Sequence, residues 1–144
     1  MEQEHWLKWG VLGLAVVAGF VLIASVVSFD GDLEGTSWSV DELVIEGTLT
    51  APIENSVITA QFLDGSVSGI ASCNNYFGPY ETDGDEIAFG PLGTTLMACN
   101  PELGPRETAY LARLSAANRF ELDRNSLTLL DGDTVLVRYS KSGG

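Results

Sequence analysis

Cysteine and histidine, the side chains that most often serve as nucleophiles, bases or zinc ligands, are scarce in this sequence. The only histidine is His5, and the two cysteines are Cys73 and Cys99. A long apolar segment separates the histidine from the cysteines, so neither a Ser-His-Asp nor a Cys-His arrangement forms inside the region that follows it. Histidine-ligated zinc is excluded there, and two cysteines alone do not complete the usual structural zinc site. We therefore expect no metal and no cofactor.

Carboxylates are abundant, with 20 Asp and Glu against 7 Lys and Arg and a formal net charge of −13. Asp-Gly-Asp occurs at 30–32, 83–85 and 131–133, but none of these has the full ligand spacing of a helical calcium loop. We interpret the carboxylates as a solvated surface, which repels phosphate backbones and argues against nucleic-acid binding. No pair is singled out for acid–base work, so we expect a protein that is not an enzyme. A hydrolase using two converging carboxylates is the enzymatic alternative.

Residues 9–29 form an uncharged apolar run. As a helix of about 21 residues it spans about 31 Å, close to the hydrocarbon thickness of a bilayer. The run predicts a single transmembrane helix that remains as an uncleaved signal anchor. A cleaved signal peptide and a buried core helix are the alternatives; the run is longer than a usual signal core, and no polar stripe interrupts it.

The charges that flank this run predict its orientation. Lys8 precedes it, Asp30, Asp32 and Glu34 follow it, and the next basic residue is Arg106. By the positive-inside rule the N-terminus is cytoplasmic and the rest of the chain extracytoplasmic, either periplasmic or at the cell surface. That compartment permits a disulfide between Cys73 and Cys99. In the chain-entropy model such a bond stabilises the fold by about 3–4 kcal/mol.

Beyond an acidic linker at 30–35, alternating apolar and polar residues predict a series of short strands. These strands are expected at 38–45, 57–63, 66–72, 76–82, 86–89, 120–123, 126–130 and 134–139. Asp-Gly pairs at 64–65, 83–84 and 131–132 predict hairpin turns. Helical spacing after Pro105 predicts one helix over about 105–117.

The predicted fold class is mainly β with one α-helix. Antiparallel strands need closure or cover to hide their edges, so we expect a small antiparallel, partly closed β-barrel-like domain with the helix on one opening. The domain occupies 36–140 behind a cytoplasmic tail at 1–8, the anchor at 9–29 and the linker at 30–35, and a short tail at 141–144 ends the chain.

Four segments resemble one known family. They are SGIASCNNYFGPY at 68–80, PLGTTLMAC at 91–99, ETAYLARL at 107–114 and LTLLDGDTVLVRY at 127–139. Together they resemble the META domain, also called the HslJ-like family, with Ser72 standing where a glycine commonly precedes the cysteine. The resemblance implies a compact antiparallel β fold with a helix, a bacterial envelope location and a link with stress responses. It implies no enzymatic activity and supplies no catalytic residues.

The anchor, the acidic composition and the resemblance together predict a membrane-anchored, non-enzymatic envelope domain that binds another envelope protein or a small ligand. The candidate binding surface is Asn74, Tyr76, Tyr80 and Met97. The competing interpretation is that Asn74 bonds turn backbone and the tyrosines cover the core. A second functional hypothesis is a small-ligand carrier that uses the barrel mouth, which requires a hollow interior.

Overall fold

The computed structural model describes residues 33–142. Within these residues there are ten strands and one helix, here called α1. In chain order they are β1 (Thr36–Ile45), β2 (Thr48–Thr50), β3 (Thr59–Leu63), β4 (Ser66–Ala71), β5 (Asn74–Asp83), β6 (Glu86–Phe89), β7 (Gly93–Thr94), α1 (Leu103–Ala116), β8 (Arg119–Leu122), β9 (Ser126–Asp131) and β10 (Thr134–Lys141). The predicted anchor and the tail before it lie outside the described residues. Between residues 33 and 142, no helix is both long and apolar enough to cross a membrane.

Eight of the strands form a closed antiparallel ring in the order β1-β3-β4-β5-β6-β8-β9-β10. The ring closes because β1, with ten residues, pairs with β3 on one side and with β10 on the other. The predicted class, mainly β with one helix, is confirmed. The barrel is fully rather than partly closed, and closure removes the free edges that an open sheet would leave.

Most element boundaries lie within two or three residues of those predicted. The Asp-Gly turns are confirmed, with positive φ at Asp64 (53°), Gly65 (74°), Gly84 (63°) and Gly132 (57°). β2 and β7 were not predicted, because strands of three and two residues are too short to show alternation. β10 runs on to Lys141, into the predicted tail.

The barrel interior is filled by large side chains. Ala60 and Phe62 of β3 point inward and are buried, whereas Leu63 is 48% exposed, as the alternation of side chains along a strand requires. The helix α1 packs against β1, β4, β6 and β10 and buries Tyr110 and Leu114. The largest side chains that are less than 2% exposed include Trp38, Tyr76, Tyr110, Tyr139 and Phe62.

The fold begins inside the predicted linker. Leu33 is 1% exposed and belongs to the core. The amide of Gly35 donates to the carbonyl of Phe62 at 2.7 Å, and the amide of Thr36 donates to the carbonyl of Leu33 at 3.2 Å. The chain is therefore fixed to the barrel from its first described residue.

Candidate functional site

Three tyrosine hydroxyls form a buried hydrogen-bonded row across the barrel interior. The Tyr76 hydroxyl donates to the carbonyl of Thr59 at 2.7 Å, its oxygen lies 2.8 Å from that of Tyr110, and the Tyr110 oxygen lies 2.9 Å from that of Tyr139. Each hydroxyl carries one proton, so Tyr139 must donate to Tyr110 and Tyr110 to Tyr76. Burial raises the pKa of all three phenols, and the row stays neutral.

The carbonyl at the end of this row is turned inward by a local irregularity between β3 and β4. The Ile70 amide donates to the Thr59 side-chain hydroxyl at 3.0 Å. Gly69 beside it has no side chain, and a Cβ there would overlap the Thr59 carbonyl. This close approach of the two strands therefore requires glycine at 69, and it leaves the Thr59 carbonyl available to Tyr76.

Tyr80 is also buried, at 7% exposure, and ties the start of the fold to the β3–β4 turn. Its hydroxyl donates to the Glu34 carboxylate at 2.7 Å. The same carboxylate accepts the amides of Asp64 and Gly65, each at 2.8 Å. The hydrogen bond from the Gly65 amide, and to a smaller extent the one from the Tyr80 hydroxyl, lowers the pKa of Glu34. Burial, and to a smaller extent the neighbouring Glu34 carboxylate, raises the pKa of Tyr80.

Asn74, 7% exposed, joins three parts of the chain. Its backbone amide and its side-chain NH₂ donate to the two carboxylate oxygens of Glu107 on α1, at 2.8 and 3.1 Å. Its side-chain oxygen accepts the Met97 amide at 2.6 Å and the Thr95 hydroxyl at 3.0 Å. Every polar atom of the side chain is satisfied, so Asn74 positions the segment that follows β7.

That segment, residues 95–99, is here called the 95–99 loop. Its far end lies at Cys99, which is at disulfide-bonding distance from Cys73, with 6.1 Å between the Cα atoms. Ser72, just before Cys73, has a φ of 75°, a conformation that glycine adopts without strain. This explains why a glycine suits the position in the resembled family.

Between its two fixed ends the 95–99 loop exposes apolar side chains. Leu96 is 94% exposed and Met97 is 53% exposed, and Phe77 on the outer face of β5 is 58% exposed. Of the four residues of the predicted binding surface, Met97 alone contributes exposed area; Asn74, Tyr76 and Tyr80 are buried. Leu96 and Phe77 were missed, although both lie within the segments that carry the resemblance, because an apolar residue was expected to face the core.

The interior of the barrel is occupied by large buried side chains, among them Trp38, Tyr110 and Phe62. This packing argues against the hollow interior that the carrier hypothesis requires, and the hypothesis itself stays a prediction. A groove of about 570 Å³ lies on the outside where β6 and β8 meet. Its lining includes Glu81, Glu86 and Arg119, and the Arg119 guanidinium is held by Asp85 at 3.3 Å and Asp133 at 3.2 Å. Within residues 33–142, no cluster of three or more His, Cys, Asp or Glu side chains is placed to hold a metal ion.

Comparison with known proteins gives a family and a fold. The family model of the META domain matches residues 31–143. An NMR structure of a protein from Burkholderia xenovorans is 28% identical, covering 78% of this chain and 85% of that one, with a TM-score of 0.66. A second NMR structure is 21% identical over 78% of this chain and 93% of that one, with a TM-score of 0.58. No curated protein sequence matches the chain.

A crystal structure of a DUF4847 family protein from Bacteroides vulgatus ATCC 8482 is also similar. It is 13% identical over 80% of this chain and 98% of that one, with a TM-score of 0.57. At that identity the likeness concerns the fold alone. The small closed barrel is thus shared with proteins whose sequences have diverged widely.

Proposed function

Because the chain belongs to the META domain family, we propose that it is a non-enzymatic binding domain of the cell envelope that docks a partner protein on its 95–99 loop. In this proposal residues 9–29 hold the domain at the outer face of a membrane. A role in an envelope stress response is part of the proposal and rests on the family resemblance.

One observation carries the binding role, namely that Leu96 is 94% exposed on a backbone that is fixed on both sides. The Thr95 amide donates to the carbonyl of Asn75 at 3.0 Å, and the Met97 amide donates to the Asn74 side chain at 2.6 Å. A leucine kept in water by such a backbone stabilises nothing in the isolated chain. Since the loop is already ordered, it loses little conformational entropy when a partner binds it.

The geometry favours a protein over a small molecule as the partner. A side chain that is almost wholly exposed protrudes from the surface and cannot line a cavity, so it fits into an apolar pocket on another surface. Met97 beside it is flexible and polarisable, and such side chains adapt well to a partner. We therefore propose a partner with an apolar pocket that receives Leu96.

The location is supported by two features of the chain. Residues 9–29 are apolar and uncharged, as a membrane anchor requires. Cys73 and Cys99 lie at disulfide-bonding distance, and disulfides persist in oxidising compartments outside the cytoplasm.

Thiol labelling in intact cells tests the location. A membrane-impermeant thiol reagent should label Cys73 and Cys99 only after reduction, because the bonded cysteines face the outside. Labelling that needs cell lysis but no reduction would place the domain in the cytoplasm and contradict the proposed location.

Crosslinking tests the binding role. A photo-reactive amino acid at position 96 should capture a defined protein in intact cells, whereas the same group at Thr134, an exposed residue of the β9–β10 hairpin, should not. Met97→Ser in the chain labelled at position 96 should reduce the yield. Equal capture at both positions would contradict a binding loop.

A further inference from the structure

The Cys73–Cys99 pair joins two surface segments of the fold and lies outside its hydrophobic core. Cys73 lies in the turn between β4 and β5, and Cys99 ends the 95–99 loop. Both residues are partly exposed, and neither belongs to the core cluster. Together with Met97 and Asn100 they line a depression of about 190 Å³. A thiol of another protein can therefore approach the bond from solvent, as thiol–disulfide exchange requires.

The two cysteines differ in their surroundings. The chain neighbours of Cys73 are buried, at 8% and 7% exposure. The chain neighbours of Cys99, Ala98 and Asn100, are both exposed. Since exchange depends on access to the sulfur that is attacked, an incoming thiolate reaches Cys99 Sγ more easily, and Cys73 is the leaving group.

The bond to Cys73 is the cross-link that holds the second half of the loop to the barrel. The first half is held by hydrogen bonds from the amides of Thr95 and Met97 to β5. From position 98 to the start of α1, the hydrogen bonds in the described part of the chain are local, as when the Leu103 amide donates to the Asn100 carbonyl at 2.9 Å. Neither cysteine takes part in the strand pairing of the ring, so breaking their bond frees the loop and leaves the barrel closed.

We infer that the Cys73–Cys99 bond is a site of thiol–disulfide exchange with a dithiol protein, and that its reduction releases the 95–99 loop. The thiolate of the dithiol protein attacks Cys99 Sγ, and Cys73 leaves as a thiolate. The second thiol of that protein then displaces Cys99 from the mixed disulfide. Two electrons and two protons pass to this chain, which ends with two thiols, while the dithiol protein ends with a disulfide.

Reduction then weakens the binding of the docking partner. In the oxidised chain the loop is fixed before a partner binds, whereas in the reduced chain residues 98–102 are free to move. A partner that orders them again lowers their conformational entropy, so we expect the reduced chain to bind about tenfold more weakly. This consequence rests on the proposed function, because the loop that the bond controls is the proposed docking loop.

Hydrogen exchange on the full chain tests the release of the loop. The Met97 amide, bonded to the Asn74 side chain at 2.6 Å, is compared with the Val40 amide, bonded within the barrel at 2.8 Å. After reduction with dithiothreitol we expect exchange about tenfold faster at Met97 and unchanged at Val40. Cys73→Ser combined with Cys99→Ser should reproduce this result without a reductant. Unchanged exchange at Met97 would overturn the inference. Faster exchange at both amides would also overturn it, because the bond would then hold the whole fold.

Trapping with thioredoxin tests which sulfur is attacked. The probe is a reduced thioredoxin whose second active-site cysteine is replaced by serine, so that the mixed disulfide is not resolved. Iodoacetamide alkylates the released thiol and prevents the reverse reaction. We expect peptide mapping to find the probe on Cys99 and the alkyl group on Cys73.

A probe found mainly on Cys73 would overturn the assignment of the attacked sulfur. An absence of any adduct on the folded chain, where the chain unfolded in urea reacts, would overturn the exchange site. Neither measurement involves the docking partner, so the docking role is tested separately by crosslinking at position 96.

Discussion

The tyrosine row and the 95–99 loop are neighbours in the fold and opposite in character. In the row, phenols that are at most 1% exposed bond to one another and to the Thr59 carbonyl. In the loop, Leu96 and Met97 lie in water while the polar backbone around them is bonded to Asn74 and Asn75. The polar side chains are thus inside and the apolar ones outside, which reverses the usual distribution.

The buried row stabilises the fold, whereas the exposed loop remains available for binding. A buried phenol that is fully hydrogen-bonded has no capacity left for a ligand, and its loss leaves partners unsatisfied. An exposed leucine contributes almost nothing to folding. Asn74 lies between the two regions, since the buried amide positions the exposed loop.

Replacing the middle tyrosine should have the largest effect on the interior. Tyr110→Ala removes a wholly buried ring and breaks the row on both sides. We expect a loss of about 3–5 kcal/mol in the free energy of unfolding, measured by urea denaturation. Tyr110→Phe keeps the ring and should lose about 1–3 kcal/mol. A loss below about 1 kcal/mol for the alanine variant would contradict a stabilising row.

High pH should weaken the same row without any substitution. Burial raises the pKa of Tyr76, Tyr110 and Tyr139 above the ordinary value of 10.0, so the unfolded chain releases these protons first. The stability from this source is complete below pH 10 and falls as the pH rises beyond it. Urea denaturation across this range should show the decline, which should be shallower in Tyr110→Phe. A flat profile would show that the phenols titrate normally.

Removing the link between the two regions should have an intermediate effect. Asn74→Ala leaves the Met97 amide and the Glu107 carboxylate without their side-chain partner. We expect a loss of about 1–3 kcal/mol and faster hydrogen exchange at the Met97 amide. Asn75→Ala, at the exposed neighbouring position, should change stability by less than about 0.5 kcal/mol. Equal losses in the two variants would show that the amide network is not what fixes the loop.

Ser72→Gly should stabilise the chain. Ser72 has a φ of 75°, and its buried hydroxyl has no hydrogen-bond partner within the described part of the chain. Glycine relieves the strain and removes the unsatisfied hydroxyl, so we expect a gain of about 1 kcal/mol. Ser68→Gly, in the interior of β4, is the matched control and should lose about 0.5–1 kcal/mol. A loss at position 72 as well would show that the serine is not strained.

Changing the exposed leucine should have the smallest effect on folding. Leu96→Ser removes an apolar side chain that is 94% exposed, so the free energy of unfolding should change by less than about 0.5 kcal/mol. Calorimetry measures this change. A large loss would show that Leu96 belongs to the core and would abolish the contrast with the tyrosine row.

Much of the fold could be predicted from the sequence, because the Asp-Gly turns and the alternation in the longer strands are local signals. The interior positions of β5 could also have been predicted, since Asn74, Tyr76 and Tyr80 share one phase of a two-residue period. Ring closure could not be predicted in this way, because it depends on β1 pairing with a strand about a hundred residues away. The exposure of Leu96 could not be predicted either, since it lies in a loop without alternation and composition favours burying it.

The seam between β1 and β10 has a consequence for the time course of folding. Ser39 and Ser142, whose hydroxyl oxygens lie 3.1 Å apart across this seam, are separated by 103 positions. Contacts between such distant residues require closure of a long loop and slow the folding of a small domain. During synthesis the barrel cannot close until the last strand has left the ribosome, so the β1 edge stays unpaired for most of translation. A chaperone that protects this edge would act before the ring closes and lose its binding site afterwards.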